Sequence, residues 1–443
     1  MPTTKHILVL GAGKSATVLI DYLKEISTLR QWNVTVADVS ATIARAKTGD
    51  HEWVKPAELS IEDDDKRGEM IQCADVVISL LPPTLHILVA QDCIEHKKHL
   101  LTASYVDADM AALAKQINKL DVLFLCEMGL DPGIDHMSAL QLIHRIHKKG
   151  GTIGSFVSHC GGLIAPESDD NPWHYKFSWN PKNVIQAGKS GAVYRENGAV
   201  KNLKYEQLFD ECNEVEVEGI GKLAYYPNRD SLSYIKVYEL AEAATFMRTT
   251  LRHPAFCRGW KMVVDLGLTD EKNTYQTDSL SVAAFLKAHF DKQKKAPLTL
   301  DDNGLLEQFQ FLGLNDETLI NKHEACSADV LQWILEKKWA LQETDKDMIV
   351  MQHEISYELK GKSCHAKSLL VVKGEDSLHT AMAKTVGLPL GIAATLLLDG
   401  KIADRGLHTP TIPSIYEPVL AELRKYGIEF TNGRKVEVLS DSM

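Results

Sequence analysis

The sequence lacks the signatures that would settle its class quickly. Its eight cysteines form no CxxC pair. His159-Cys160 and Cys364-His365 are adjacent pairs, and neighbours rarely ligate one ion, so no structural metal is expected. Scattered cysteines read as free thiols in a reducing compartment. No basic stretch followed by an apolar core opens the chain, and Met1 to Lys5 lead straight into a strand-like run, so a cytoplasmic location is expected. No apolar run approaches the ~20 residues a membrane span needs, and no membrane association is expected. Clustered positive charge is also missing. With 49 Lys and Arg against 60 Asp and Glu, the formal net charge of −11 excludes broad nucleic-acid binding. It does not exclude small anionic substrates, because a few well-placed arginines hold those against the global field. There is no internal repeat and no low-complexity segment.

What is present is an ordinary globular composition, 44% hydrophobic and 25% charged, over 443 residues, a length suited to two or three domains. His6 to Leu10 ("HILVL") reads as a buried strand, "GAGKSA" (Gly11–Ala16) as a turn, Ser15 to Leu29 as a helix, and Asn33 to Ala37 as a second strand ending at Asp38. Strand, glycine turn, helix, strand is the beginning of a doubly wound sheet. Asp75 to Leu80, His99 to Ala103 and Asp121 to Leu125 continue it. The acidic run Glu62 to Asp65 reads as a solvated turn. After Gly150-Gly151 the pattern changes to alternating segments, as in an antiparallel or mixed sheet. Ser279 to Leu341 is helical without a clear strand. Asp347 to Leu359 and Lys367 to Val372 return to strands, and Ser377 to Leu398 is helical.

"GAGKSA" contains Gly-Lys-Ser, but a phosphate-binding P-loop needs a glycine where Leu8 stands. The alternative is G-x-G-x-x-A. Gly11 permits the tight turn, Gly13 lets backbone approach a pyrophosphate at a helix N-terminus, and Ala16 keeps helix and strand close. Asp38 is placed to accept hydrogen bonds from a ribose 2′-hydroxyl, and no Arg follows it (Val39, Ser40). The cofactor expected is therefore NAD in preference to NADP.

Three later strand ends fall on the same rim of such a sheet: "LLPP" (Leu80–Pro83), "TASY" (Thr102–Tyr105) and "EMGLDPGID" (Glu127–Asp135). Asp131 reads equally as a turn acid before Pro132 or as a ligand-facing carboxylate. Further on, Ser158 to Trp179 is rich in Gly, Pro and Asp, yet carries Trp173, Tyr175, Phe177 and Trp179, which a plain linker would not. Arg229 in "YPNRDS" and Arg252 in "TTLRHPAF" suit carboxylate recognition, although either alone reads first as a surface residue.

Together with "DVVISLLPP", "CGGLIAPE", "NPWHYKFSW", "DMIVM" and "AMAKTVGLP", these segments resemble the saccharopine dehydrogenase family, glutamate-forming branch, over nearly the whole chain. The resemblance implies an NAD-dependent oxidation of saccharopine, a secondary amine, to L-glutamate and 2-aminoadipate 6-semialdehyde in lysine metabolism, in the degradative direction. It assigns Tyr105, Asp131 and Cys160 to the surroundings of the reacting nitrogen, although Cys160 also reads as a plain buried thiol. Ser104, Tyr105, Asp131, Arg229, Thr250, Leu251 and Arg252 are assigned to substrate. Gly11, Ala12, Gly13, Lys14, Ser15, Asp38, Ile78, Leu80, Ser104, Leu130, Asp131 and Pro132 are assigned to the dinucleotide. Three places depart from the family: Asp38-Val39, where its NADP-using fungal members carry Cys-Arg; Ile164, which could loosen a loop near the substrate; and His253, which alters a flank of Arg252. The implied fold is α/β. A Rossmann domain (1–130, completed by 390–443) is followed by a mixed α+β substrate and dimerisation domain (131–278 and 342–389) with an inserted helical domain (279–341). A homodimer is implied. Two other readings stay open: a related dehydrogenase acting on a polyamine-derived amine such as carboxynorspermidine, and a non-catalytic NAD-binding sensor.

Overall fold

A computed structural model describes residues 4–293 and 302–432. Residues 294–301 of the expected helical insertion and 433–443 of the expected C-terminal completion lie outside the described residues. The chain divides into two compact units. The first comprises Met1–Ile153, Tyr357–Cys364 and Leu370–Met443, and the second Gly154–Ser356 and His365–Leu369.

In chain order, the elements begin with β1 (His6–Leu10), α1 (Thr17–Arg30), β2 (Asn33–Asp38), α2 (Ala41–Thr48), β3 (Val54–Glu58), α3 (Asp64–Cys73), β4 (Val76–Ser79), α4 (His86–Glu95), β5 (His99–Thr102), α5 (Ala108–Ala112), α6 (Ala114–Ile117), β6 (Leu123–Leu125) and α7 (Ile134–Lys148). Next come β7 (Thr152–Ile164), α8 (Pro181–Gln186), β8 (Ala192–Glu196), β9 (Ala199–Leu203), β10 (Asn213–Val217), β11 (Gly221–Pro227), β12 (Arg229–Asp230), β13 (Thr245–Arg252) and α9 (Pro254–Asp265). They are followed by β14 (Thr274–Gln276), α10 (Val282–Gln293), α11 (Asn303–Leu312), β15 (Glu324–Cys326), α12 (Ser327–Lys338), β16 (Asp347–Leu359), β17 (Lys362–Lys373), α13 (Ala381–Leu398), β18 (Gly406–His408) and α14 (Pro413–Lys425).

The first unit is the doubly wound sheet expected. Its seven strands run in the order β18-β6-β5-β4-β1-β2-β3, all parallel. Ile7, Leu8 and Val9 of β1 and Val76, Val77 and Ile78 of β4 are fully buried. Helices cover both faces of such a sheet, so its strands read as unbroken apolar runs rather than alternating ones. The chain moves outward from β1 to β3, then returns and moves outward from β4 to β6. The switch point lies between β1 and β4, where sheets of this kind bind ligands.

Two expectations need correction here. The acidic run is solvated but only its start is a turn: Glu62 lies in one, Asp63 caps α3, its Oδ1 accepting from the Lys66 N–H at 3.1 Å, and Asp64 and Asp65 fill the first turn of the helix. Carboxylates there offset the positive end of the helix. A long apolar run does exist. The 18-residue α13 is long and apolar enough to cross a membrane, with 83% of it buried inside the protein. It packs along α1, and Tyr22 of α1 donates a hydrogen bond to Thr395 Oγ1.

A mixed sheet runs in the order β10-β11-β13-β7-β16-β17, with β8 beside β13 and β9 and β12 beside β8, and the second unit holds most of it. The core of that unit is aromatic. Trp339 meets Trp173, Tyr175 and Phe177 with ring centroids 5.4, 5.2 and 5.3 Å apart. The aromatic residues that argued against a plain linker are thus core residues. The 279–341 stretch holds α10, α11 and α12, and β15 within it pairs with β14, a three-residue pairing too short to leave a periodic signal.

Helix α13 can lie against α1 because two of its residues carry no side chain. A Cβ on Gly391 would come within 2.6 Å of the Tyr22 ring. Gly391→Leu is expected to lower stability by about 1–3 kcal/mol through overpacking, read as a fall in the urea unfolding midpoint.

Candidate active site

Five segments leave the carboxyl ends of the first unit's strands. The first is the glycine turn. Gly11 has φ +99°, and a Cβ there would meet the Leu80 carbonyl oxygen at 3.1 Å, so glycine is required. A Cβ on Gly13 would meet nothing within 4 Å. The open face before Gly13, Lys14 and Ser15 therefore fits a bulky anion at the start of α1. Ala12 is buried below it, Ile78 is buried in β4, and Leu80 is half-buried with its N–H on Leu10 O.

Asp38 stands at the end of β2 as expected, but its carboxylate serves the turn itself. Oδ2 accepts from the Ala12 N–H at 2.8 Å, and Oδ1 from the Ser40 N–H at 3.1 Å. The side chain ties β2 to the glycine turn.

The "TASY" and "GLDPGID" segments come together. The Tyr105 hydroxyl donates to Asp131 Oδ1 at 3.1 Å. Leu130 and Pro132 flank that carboxylate and are buried, and the Asp131–Pro132 peptide is cis. Ser104 is held by His86, which sequence reasoning passed over. The His86 ring nitrogens lie 2.8 Å from Ser79 Oγ and 2.8 Å from Ser104 Oγ, with Thr102 Oγ1 at 3.2 Å. Burial pushes this imidazole down to about 4, so it is neutral near pH 7 and offers one donor and one acceptor. A lone His opening a helix carried no signal for this. Glu127 and His136, inside the motif, were also passed over.

In the second unit, Cys160 on β7 pairs in register with Thr250 on β13, and both Cys160 and Leu251 are buried. Arg252 is not a surface residue. It is 4% exposed, with its guanidinium 5.2 Å from the Tyr175 ring centroid and 5.4 Å from that of Phe256. Its Nη1 donates to the Leu251 carbonyl at 2.8 Å, while its buried Nε has no hydrogen-bond partner among the described residues. A desolvated guanidinium stacked on aromatic faces suits a carboxylate guest. Arg229 is exposed, at φ +51°, in the two-residue strand β12 beside β8. Ile164 is buried at the end of β7. His253 caps α9 by accepting from the Ala255 N–H and lies 3.7 Å from the His174 ring.

The parallel sheet, its glycine turn and the polar groups at its strand ends define a dinucleotide-binding α/β protein. Residues 7–125 match the saccharopine dehydrogenase NADP binding domain, and residues 129–428 match the saccharopine dehydrogenase C-terminal domain. The chain belongs to the saccharopine dehydrogenase family. It is 34% identical to saccharopine dehydrogenase [NADP(+), L-glutamate-forming] of Saccharomyces cerevisiae, over 96% of this chain and 98% of that one. It is also 34% identical to the mitochondrial alpha-aminoadipic semialdehyde synthase of Bos taurus, over 99% of this chain and 49% of that one. The chain thus spans about half the length of the synthase. The solved apo saccharopine dehydrogenase (L-Glu forming) of Saccharomyces cerevisiae superposes with a TM-score of 0.86 at 32% identity, covering 97% of this chain and 99% of that one.

These matches overturn the expectation of NAD. The domain that aligns with the glycine turn is an NADP binding domain, and the fungal relatives are named for NADP(+). Asp38 itself accepts from the backbone N–H groups of Ala12 in the glycine turn and of Ser40. The degradative direction loses the support that the NAD reading lent it.

Burial pushes four histidines down to about 4: His86, His99, His159 and His253. Between about pH 6.5 and 4 the unfolded chain binds protons at these sites that the folded protein does not, so stability falls as pH falls through that window. Tm is expected to drop from pH 7 to pH 4.5, with a shallower slope in His159→Gln. An equal slope in that variant would remove His159 as a source.

Proposed function

We propose that this protein is an L-glutamate-forming saccharopine dehydrogenase of lysine metabolism, working with NADP. The observation that carries the reading is the end-to-end match to fungal enzymes of that name. The paired phenol and carboxylate of Tyr105 and Asp131 support it chemically. A homodimer and a cytoplasmic location belong to the same reading.

Gly11, Ala12, Gly13, Lys14, Ser15, Ile78, Leu80, Ser104, Leu130, Asp131 and Pro132 hold the dinucleotide. The bound nicotinamide supplies the hydride acceptor. Saccharopine joins the ε-nitrogen of lysine to the α-carbon of glutarate, and hydride leaves the lysine-side carbon beside that nitrogen. The nitrogen must first give up its ammonium proton, because its lone pair forms the C=N bond as the C–H bond breaks. Asp131 takes that proton, with the Tyr105 hydroxyl orienting its carboxylate. Water then adds to the imine carbon. The C–N bond breaks as the nitrogen is reprotonated, leaving glutamate and the semialdehyde. Ser104, Thr250 and Leu251 contact the substrate, while Arg229 and Arg252 receive its carboxylates. Arg252 suits the task because it is already stripped of water, so a carboxylate placed on it gains a charge-assisted pair in a low-dielectric setting.

The test follows the absorbance of reduced nicotinamide with saccharopine and either NADP or NAD. Faster reduction of NADP is expected. Preference for NAD overturns the cofactor assignment, and turnover of carboxynorspermidine in place of saccharopine overturns the substrate. Asp131→Asn is expected to lower kcat by about 100-fold or more, the scale of a lost proton acceptor. Arg252→Met is expected to raise the KM for saccharopine by about 30-fold or more, as for loss of a buried charge partner, with the Kd for NADP unchanged.

A further inference from the structure

Asp131 and Tyr105 meet across two loops although they stand 26 positions apart in the chain. Something must fix both loops for a 3.1 Å contact to persist. Glu127 does this from inside the first unit. Its backbone N–H donates to the Ser104 carbonyl at 2.9 Å, and its side-chain Oε1 accepts from the Val106 N–H at 3.1 Å. The residues immediately before and after Tyr105 are therefore both fastened to one residue. Glu127 is 3% exposed and takes φ +58°, a left-handed conformation that turns its carboxylate back toward that loop. Its other oxygen, Oε2, lies 2.9 Å from Nε2 of His136, which is fully buried in the first turn of α7. Asp135, next to His136, accepts from the Gly133 N–H at 2.6 Å through Oδ1. The loop carrying Asp131 is thus pinned on one side by Glu127 and on the other by Asp135 and His136.

We infer that Glu127, held by His136, is a positioning residue that fixes the Tyr105 phenol against the Asp131 carboxylate. The inference rests on the roles given to Tyr105 and Asp131 above. Glu127 acts through the backbone on both sides of Tyr105. A buried carboxylate with two partners is costly to remove, because its partners are left unsatisfied. The cost here falls on the alignment of the reacting groups.

The experiment measures saccharopine turnover, NADP Kd and Tm for Glu127→Ala, Glu127→Gln, Tyr105→Phe and the Glu127→Ala/Tyr105→Phe double variant. Glu127→Ala is expected to lower kcat about 30-fold, as misplacement of a reacting group does, with the NADP Kd within about threefold. Glu127→Gln keeps an acceptor for the Val106 N–H and is expected to retain the rate within about fivefold. The double variant is expected to be no more than about threefold slower than Tyr105→Phe alone, because residues acting as one unit are not additive. A wild-type kcat in Glu127→Ala, or losses that multiply in the double variant, would overturn the inference. A wild-type kcat in Tyr105→Phe would instead remove the role given to Tyr105, and the cycle is then run against Asp131→Asn. Should Glu127→Ala not fold, His136→Asn takes its place, with an expected loss of about fivefold and the same rule of additivity.

Discussion

Parallel pairing is the constraint on which the first unit depends. Strands that all run one way deliver all their carboxyl ends to one rim, so residues far apart in the chain leave the sheet side by side. The register puts Leu10, Ser79 and Thr102 in adjacent rows, and Leu101 beside Leu125. Gly11, Leu80, Tyr105 and Glu127 each follow within three residues of one of those ends. The chemistry is then carried by short loops, whose conformations are set by contacts between loops: Asp38 on the glycine turn, His86 across two strand ends, and Glu127 around Tyr105.

The second unit solves a different problem. A guanidinium loses hydration when it is buried, and few side chains compensate without neutralising it. Tyr175 and Phe256 offer ring faces, which attract a cation without cancelling its charge. Trp339 and its neighbours hold Tyr175 in place. The same aromatic cluster is therefore both a core and the floor of a cation site.

The strands of the first unit were legible because burial on both faces leaves unbroken apolar runs, as in "HILVL" and "DVVISL". The site segments were legible as breaks in those runs. Asp131 was undecided between turn and ligand, because the Tyr105 contact that distinguishes the two is long-range. Asp38 misled because an acid at a strand end can brace the neighbouring turn as well as face a ribose, and its bond to the Ala12 N–H is long-range. Arg252 read as a surface residue on its own, since the rings that bury it come from Tyr175 and from Phe256 on the helix that follows. Asp63 looked like one of several solvated acids, because a cap differs from a turn only in where its oxygen points. Glu127 and His136 stand nine residues apart across two glycines and a proline, a spacing with no helical or strand period, so nothing local announced their pairing.

The apolar helix α13 has a consequence for how the chain is made. Its partner α1 is complete by residue 30, yet the residues that cover it, including Gly391 and Thr395, are synthesised more than 350 positions later. The strand β18, which closes one edge of the parallel sheet beside β6, comes later still. On the ribosome, the first unit therefore stands with an uncovered helix face and an open sheet edge while all of the second unit is translated. Such surfaces bind chaperones or one another until they are covered. The second unit is continuous but for five residues and has no such wait. The part of the chain that begins last is thus placed to fold first.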